Sequence, residues 1–369
     1  MKTQYFTLLI ALLNFLPIYT TQFTTDNTGK EEKIKIMELA SAFILSRAIH
    51  IAAEIKIADH MINGPQNIKL LAQKTNMNVN ALYRFLRLLA SYDIFSHDDH
   101  NNFSLTPLAQ QLVSTDPNSL WKWVTYHNDK NRWLAYGDMK YSIETGKPSF
   151  DHIFGKGYFD FLTENPLLAQ QFDEGMQNIS AKENESIVHS YNFSTYSTIV
   201  DIGGGKGGLL TEIITNNLAQ NGILFDLKHV QASATQYLTE LNLQNHINFI
   251  TSTGFFNPIP KNADLYILKR VLHDWSDEDC ISILKNCHHA MHQDSRLLII
   301  DTIVSQENVR DFSKDIDIAM MVLCGGKERT QTEWKMLIEK ADLQLINIYT
   351  TPSMLSIIEV QKKQRKTNE

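Results

Sequence analysis

The sequence predicts an α/β fold in which a doubly wound sheet follows a smaller helical domain of the winged-helix type. Strand–helix alternation runs from Ser197 to the C-terminus, and a pattern of helices, a turn, a helix and a hairpin precedes it within residues 31–115. The 369 residues suit two domains of ordinary size, and the hydrophobic share of 43% supplies a core large enough for both.

The first 23 residues resemble a secretory signal peptide. Lys2 forms a short positive region, and Pro17 ends an apolar run at residues 7–16 that is too short to span a bilayer. A buried or peripheral helix and a mis-assigned start are the alternatives, because bulky side chains before Thr20 fit a cleavage site poorly. Beyond this segment we expect no transmembrane helix, since no other apolar stretch approaches the ~20 residues that one needs.

The winged-helix prediction comes from residues 31–115. Apolar side chains recur at helical spacing up to Asn63-Gly64-Pro65, which ends the second helix. Residues 71–90 then predict a helix, a turn and a second helix. Extended segments at residues 93–95 and 102–105 follow, around a polar turn, and complete the pattern of a winged helix.

A winged helix binds either DNA or another protein. The helix predicted at residues 81–89 carries Arg84 and Arg87 as its only basic residues, and the hairpin turn carries Asp98 and Asp99. This distribution, in a chain of formal net charge −7, does not suit a phosphate surface. We therefore expect no nucleic-acid binding, and a homodimer formed through this domain.

Residues 116–196 are rich in aromatic side chains and predict further helices. Most of these rings are expected in the core, and the remainder could line a pocket for a flat aromatic substrate. Spacing does not separate the two groups. We assign residues 116–362 to a second domain and residues 363–369 to a polar tail.

Strands and helices alternate in the second half of the chain. Five strands are predicted, at Thr198–Ile202, Ile223–Leu227, Ile247–Ile250, Asp264–Leu268 and Arg296–Ile303, with a C-terminal antiparallel hairpin at Leu343–Thr350 and Met354–Gln361. Helices fall between several of these strands. A doubly wound sheet of this kind binds ligands at the carboxyl ends of its strands.

A glycine-rich loop at residues 201–208 follows the first of these strands and opens a helix. Glycines allow backbone N–H groups to approach a ligand closely, and this loop satisfies the dinucleotide pattern G-x-G-x-x-G. S-Adenosylmethionine, NAD(P) and a purely structural turn are all compatible with the loop. The carboxylate of Asp201 would repel a pyrophosphate but can hold a cation, which favours S-adenosylmethionine. Asp226 ends the next strand and could accept from both ribose hydroxyls.

His273 comes directly after the fourth strand and is a candidate general base. Asp301 ends the fifth strand, which is adjacent, and Glu328 lies in the loop at residues 324–330. Two carboxylates near one imidazole would select its tautomer and stabilise the imidazolium ion. A purely structural histidine is the alternative.

Four motifs together resemble a known family. DIGGGKG, FDLKHV, LKRVLHDWSDEDCISILKNC and GGKERT follow one another as in the S-adenosylmethionine-dependent O-methyltransferases of the caffeic acid/acetylserotonin (hydroxyindole) type, along residues 33–360. The resemblance implies a class I methyltransferase domain of Rossmann-like fold and an N-terminal winged-helix domain that dimerises. It also implies S-adenosylmethionine as the cofactor and a small aromatic substrate that bears a hydroxyl group.

The resemblance further implies roles for individual residues. His273 would be the catalytic base, with Asp274, Asp301 and Glu328 supporting it. The residues implied in cofactor binding are Asp201, Gly203, Gly205, Asp226, Leu227, Gly254, Phe255, Lys269, Arg270 and Ser180. Those implied near the substrate are Phe172, Met176, Trp275 and Met320. No metal is expected, because methyl transfer from a sulfonium needs none.

The chain departs from the family pattern at three positions. Gly254 replaces an Asp that accepts from the adenine amino group, and the loss of such a bond costs ~1–3 kcal/mol. Lys228 replaces a proline, and Ala319 replaces an Asn of the acetylserotonin type, so the acceptor need not be an indole. A secreted, non-catalytic dimeric binding protein is therefore the alternative function. The N-terminal segment suggests the secretory pathway, whereas the resemblance suggests the cytoplasm.

Overall fold

The computed structural model describes residues 28–216, 218–252 and 258–363. The predicted signal peptide at residues 1–23, and Gly254 and Phe255, lie outside these ranges. The chain falls into two compact units, residues 1–47 and residues 48–369. The domain boundary expected near residue 115 stays a prediction.

The described part of the first unit is helical. Helix α1 spans Thr28–Ala40, and helix α2, at Ala42–Glu54, begins in this unit. Several large apolar side chains are more than half exposed here, among them Ile36, Met37 and Phe43. An apolar helix surface of this kind is typical of an interface with another protein.

One stretch of the described residues, Gly29–Glu54, is long and apolar enough to cross a membrane by length and composition. This corrects the expectation that no segment after residue 23 approaches a membrane span. Signal sequences and the helices of folded proteins satisfy the same criteria. The absence of a transmembrane helix therefore stays a prediction.

A winged helix occupies residues 57–105. Its elements are a 3₁₀ helix at Ile57–Met61, β1 at Gln66–Asn67, α3 at Ile68–Thr75, α4 at Val79–Ala90, β2 at Phe95–His97 and β3 at Asn102–Leu105. The Asn67 side chain caps α3, and the Asn78 side chain caps α4 by accepting from the Ala81 N–H. Strand β3 pairs antiparallel with both β1 and β2. The predicted helix–turn–helix and hairpin are confirmed.

Seven helices follow between residues 107 and 190. They are α5 at Pro107–Gln110, α6 at Trp121–His127, α7 at Lys130–Gly137, α8 at Met139–Thr145, α9 at Ser149–Phe154, α10 at Tyr158–Glu164 and α11 at Pro166–Ser190. Many of their rings pack together: the Phe150 centroid lies 4.4 Å from that of Phe154 and 5.0 Å from that of Tyr158. The expectation that most of these aromatic residues form core is confirmed for this cluster, which also contains Val322 and Leu323.

The large sheet is doubly wound. Its strands are β4 at Thr198–Ile202, β5 at Asn221–Leu227, β6 at Ile247–Ser252, β7 at Leu265–Lys269, β8 at Arg296–Val304, β9 at Arg329–Thr330, β10 at Leu343–Thr350 and β11 at Leu355–Lys362. The order is β10-β11-β8-β7-β4-β5-β6, with β9 beside β8. Strands β4 to β9 pair in parallel, and β10 and β11 form the predicted antiparallel hairpin.

Between residues 208 and 340, the described part of the chain has five α-helices that connect these strands. They are α12 at Gly208–Thr215, α13 at Gln231–Glu240, α14 at Asp277–Ala290, α15 at Phe312–Leu323 and α16 at Gln331–Lys340, with 3₁₀ helices at Phe193–Thr195, Lys228–Val230 and Leu272–Asp274. Alternate residues of the central strands enter two buried cores on opposite faces of the sheet. Strand order reverses at β4, which lies between β5 and β7. The ligand site of such a sheet is expected at this switch point.

Candidate active site

The glycine-rich loop turns at the carboxyl end of β4. Gly203, Gly205 and Gly207 have φ values of 71°, 60° and 89°, in the left-handed region that favours glycine. The Gly205 N–H donates to Asp226 Oδ2 at 2.8 Å. A Cβ atom at Gly204 would lie 2.3 Å from Asp201 Oδ2. The loop therefore needs its glycines in order to lie against the ends of β4 and β5.

Asp201 is a buried carboxylate without a hydrogen-bond partner for either oxygen within the described residues. Burial raises its pKa to about 7; Lys269 opposes this shift and Asp226 adds to it. A buried, unpaired acidic group stabilises a cation that approaches it. Together with the glycine loop, this carboxylate fits the ammonium group of the methionine part of S-adenosylmethionine.

The binding of S-adenosylmethionine is expected to strengthen as the pH rises toward 8. Asp201 loses its proton near pH 7, and only its carboxylate form attracts the ammonium group. Below this pH the association constant should fall about tenfold per pH unit. Titration calorimetry between pH 5.5 and 8.5 measures the slope. Asp201→Asn should flatten the profile, the exposed Asp99→Asn should keep it, and a flat wild-type profile would contradict this role.

Asp226 lies where predicted, at the end of β5. Its Oδ1 accepts from the Leu227 N–H at 2.6 Å, and its Oδ2 accepts from the Gly205 N–H. The loop and the strand therefore orient the carboxylate together. A carboxylate in this position of a doubly wound sheet suits the ribose hydroxyls of a nucleoside.

The two cations at the end of β7 are paired with helix α11. Arg270 donates through Nε and Nη2 to the two carboxylate oxygens of Glu183, and Lys269 Nζ lies 3.2 Å from Glu183 Oε2. The side chains of Glu183, Lys269 and Arg270 are 4%, 9% and 11% exposed. Lys269 also donates to Asn184 Oδ1 at 2.8 Å. The predicted cofactor contacts of Lys269 and Arg270 stay predictions, whereas their ion pairs are part of the structure.

Sequence patterns did not predict Glu183 and Asn184. Glu183 is the counter-ion of both cations, and the Asn184 amide lies 3.1 Å from the position of a Cβ atom at Gly208, at the start of α12. The available signal was helical spacing, because Glu183 and Asn184 follow Ser180 by three and four residues and share its helix face. Nothing in the sequence indicated that this face meets the glycine loop.

His273 is buried at the carboxyl end of β7, within the 3₁₀ helix after it. Its Nδ1–H donates to Glu328 Oε1 at 2.9 Å, and Asp301 Oδ1 lies 3.5 Å from the same nitrogen. Asp274 Oδ1 lies 3.6 Å from Nε2. The four predicted catalytic residues are therefore brought together, and the bond to Glu328 selects the tautomer that leaves Nε2 unprotonated.

Three acidic groups control the protonation of this imidazole. Burial lowers the pKa of His273, but the charges of Asp301, Asp274 and Glu328 outweigh it and raise the pKa to about 10. Burial in turn raises the pKa of Asp301 to about 6, against the opposing effect of His273. The cluster therefore favours an imidazolium ion at neutral pH.

The same cluster could hold a metal ion by geometry. Ligand atoms of His273, Asp301 and Glu328 lie within 4.8 Å of one another. The hydrogen bond between Nδ1 and Glu328 engages the histidine nitrogen that such an ion would need. The expectation that this site binds no metal stays a prediction.

Loop residues 324–330 are held against His273 by backbone contacts. The Lys327 N–H donates to the His273 carbonyl at 2.8 Å, and a Cβ atom at Gly326 would lie 2.2 Å from that carbonyl. The buried Arg329 guanidinium donates to the carbonyls of Leu272 and Trp275. These bonds set the distance between Glu328 and the imidazole.

The residues implied near the substrate separate into two places. Phe172 and Met320 both pack against the aromatic cluster that contains Phe150 and Tyr158. Met176 and Ser180 are half-buried on α11, the helix that carries Phe172. Trp275 packs instead against the core that contains β7 residues. Phe172 and Met320 therefore pack against one cluster, and Trp275 packs against another.

Comparisons with known proteins identify the family of this chain. Residues 136–344 match the O-methyltransferase domain family, and residues 37–115 match the O-methyltransferase dimerisation domain family. Phenazine O-methyltransferase of Lysobacter antibioticus is 32% identical over 326 residues, which are 88% of this chain and 95% of that protein.

Solved structures give the same result. A methyltransferase of calicheamicin biosynthesis, in its SAH-bound form, is 29% identical with a TM-score of 0.81, covering 92% of this chain and 100% of that one. Human N-acetylserotonin methyltransferase, 21% identical, shares the fold with a TM-score of 0.80 over 93% of this chain and all of its own. The resemblance, the fold class and S-adenosylmethionine as cofactor are thereby confirmed. This chain belongs to the S-adenosylmethionine-dependent O-methyltransferases that join an O-methyltransferase domain to a dimerisation domain.

Proposed function

We propose that this enzyme methylates the hydroxyl group of a small aromatic acceptor, an N-acetylserotonin-like hydroxyindole or a phenol, with His273 as general base. The hydrogen bond from His273 Nδ1 to Glu328, buried at the switch-point edge of the sheet, is the observation on which the proposal rests. It directs Nε2 to act as the proton acceptor. The aromatic cluster beside Met320 and the name of the phenazine O-methyltransferase support a flat aromatic acceptor.

When bound, S-adenosylmethionine supplies a methyl group that its sulfonium already makes electrophilic. The protein therefore has to align the acceptor oxygen with that methyl group and remove the hydroxyl proton. His273 Nε2 takes this proton, and the resulting imidazolium is stabilised by Glu328, Asp301 and Asp274. A phenol has a pKa near that of Tyr, about 10, which is close to the raised pKa of His273.

Turnover is expected to increase from neutral pH toward pH 10. His273 accepts a proton only in its neutral form, and its pKa of about 10 keeps most molecules protonated below that pH. In Glu328→Gln, the loss of one negative charge should move the acidic limb of kcat/KM to lower pH. If the acidic limb instead reported ionisation of the acceptor hydroxyl, its position would be the same in Glu328→Gln and in the wild type. That result would contradict the assignment of the limb to His273.

We also propose a homodimer. The match of residues 37–115 to a dimerisation domain and the exposed apolar side chains of Met37, Leu39 and Phe43 support it. Such side chains are buried when two copies associate. Sedimentation of the full chain should give twice the monomer mass, and substitution of Met37 and Phe43 by Ser should shift it toward the monomer.

Calorimetry of S-adenosylmethionine with the full chain, followed by an acceptor screen, tests the proposed reaction. We expect binding in the micromolar range and methyl transfer to N-acetylserotonin or to a simple phenol. A folded dimer that binds the cofactor but methylates no aromatic hydroxyl would contradict the acceptor class. Absence of binding at millimolar cofactor, in a folded dimer, would contradict the proposed reaction.

A further inference from the structure

Arg132, on helix α7, is a buried cation surrounded by aromatic residues. It is 3% exposed, and its Nη1 donates to the hydroxyls of Tyr126 and Tyr158. The guanidinium carbon lies 4.6 Å from the centre of the Tyr126 ring, and Nη2 lies 3.5 Å from His127 Nδ1. All of these neighbours are neutral side chains at physiological pH, because burial and Arg132 itself lower the pKa of His127 to about 3.

No carboxylate of the described residues forms an ion pair with Arg132, and its Nε has no hydrogen-bond partner there. Asp129 accepts from the backbone N–H groups of Asn131 and Arg132, as the cap of α7. Buried charges in proteins are normally paired, because an isolated one is costly to remove from water. An arginine whose planar guanidinium group is buried without a counter-ion is therefore suited to bind an anion supplied from outside the chain.

This cation lies close to the residues of the methyl-transfer site. Tyr126 and Tyr158, which hold the guanidinium, pack against Phe172 with ring centroids 5.3 and 6.3 Å apart. Burial raises the pKa of the Cys324 thiol to about 12; the charge of Asp274 adds to this shift and that of Arg132 opposes it. Cys324 is therefore within electrostatic range of both groups, and it begins the loop that carries Glu328.

A small cavity adjoins the tyrosine pair. Its lining includes Tyr126, Tyr158 and the acidic residue Asp129, and its volume is about 10 Å³, which is the space of one water molecule. The tyrosine hydroxyls that bind Arg132 thus lie next to a gap in the packing of the aromatic cluster.

We propose that, among small phenols, this enzyme prefers an acceptor that bears a carboxylate, which Arg132 binds while the acceptor hydroxyl lies beside His273. This inference rests on the proposed function and adds a second recognition group to it. The carboxylate would supply the missing counter-charge of Arg132 and would orient the ring between α7 and the loop after α15. Arg132 would then determine specificity, without taking part in the proton transfer.

The test compares acids with their neutral amides. Hydroxybenzoates and hydroxynaphthoates of each ring position are assayed beside the corresponding carboxamides, with wild type, Arg132→Gln and Arg132→Lys. We expect at least one acid to exceed its amide in kcat/KM by roughly 10- to 100-fold, as charge-assisted hydrogen bonds allow. This ratio should fall at least tenfold in Arg132→Gln and less in Arg132→Lys. Arg310→Gln, which removes an exposed arginine, should keep the ratio.

Binding measurements separate this inference from the proposed reaction. Calorimetry of the same acids and amides with the enzyme saturated with S-adenosylhomocysteine needs no turnover, and a thermal melt shows whether Arg132→Gln is folded. Tight binding of an acid that Arg132→Gln weakens, without methylation, would support the anion site and contradict the reaction. Equal affinity of the wild type for acids and amides would overturn the inference. An equal loss of affinity for both in a folded Arg132→Gln would also overturn it. If Arg132→Gln does not fold, the inference is tested by the ratio of acid to amide in the wild type and by the change of that ratio in Arg132→Lys.

Discussion

Replacing His273 with alanine is expected to lower kcat by about 10²- to 10⁴-fold, the usual contribution of a positioned general base. The imidazole is buried beside Glu328, Asp301 and Asp274, and Nε2 is the nitrogen that carries no proton when the ring is neutral. No other histidine lies in this cluster within the described part of the chain. Affinity for S-adenosylmethionine should change little, because the contacts predicted for that ligand are made by the glycine loop and Asp226. Single-turnover methyl transfer and calorimetry measure the two effects separately.

His289→Ala is the matched control, since this histidine is exposed on α14. It should retain wild-type turnover. Wild-type turnover in His273→Ala would refute the role of His273 as base. A parallel loss of cofactor affinity in that variant would assign His273 to cofactor binding instead.

Replacing Glu183 with alanine is expected to destabilise the protein by about 3–5 kcal/mol, the range for a buried ion pair that loses one partner. Glu183 is the counter-ion of both Arg270 and Lys269, and all three side chains are at least 89% buried. Their removal from water is offset only while the carboxylate is present. The midpoint of urea unfolding, measured for the variant and the wild type, gives the difference.

Glu185→Ala is the control for this prediction, because Glu185 is exposed on the same helix, two residues later. It should leave the unfolding midpoint within the small range of surface substitutions. Glu183→Gln keeps the shape of the side chain and removes only the charge, so it should fall between the two. Equal midpoints for Glu183→Ala and Glu185→Ala would show that the two cations find other partners.

Local patterns were sufficient for the elements of this fold. The five predicted strands, which are β4 to β8, lie within a few residues of their expected bounds, as do the C-terminal hairpin and the helix–turn–helix, because apolar periodicity and turn residues act over a few positions. The expectation that His273 follows the fourth strand of the sheet is confirmed, since it lies directly after β7. Exposed apolar side chains in α1 agree with the dimer that the winged helix suggested.

The sequence by itself determined the α/β architecture, the cofactor loop and the histidine that the proposed mechanism uses. Only the tertiary structure decided which charged side chains lie in contact. Glu183 pairs with Arg270 across 87 positions, Glu328 accepts from His273 across 55, and Arg132 is buried without an acidic partner in the described residues. Such contacts depend on how helices pack against the sheet, and any acid in the sequence is locally equivalent to any other. Burial then makes the interactions of these particular groups strong, because charges interact strongly only where water is excluded.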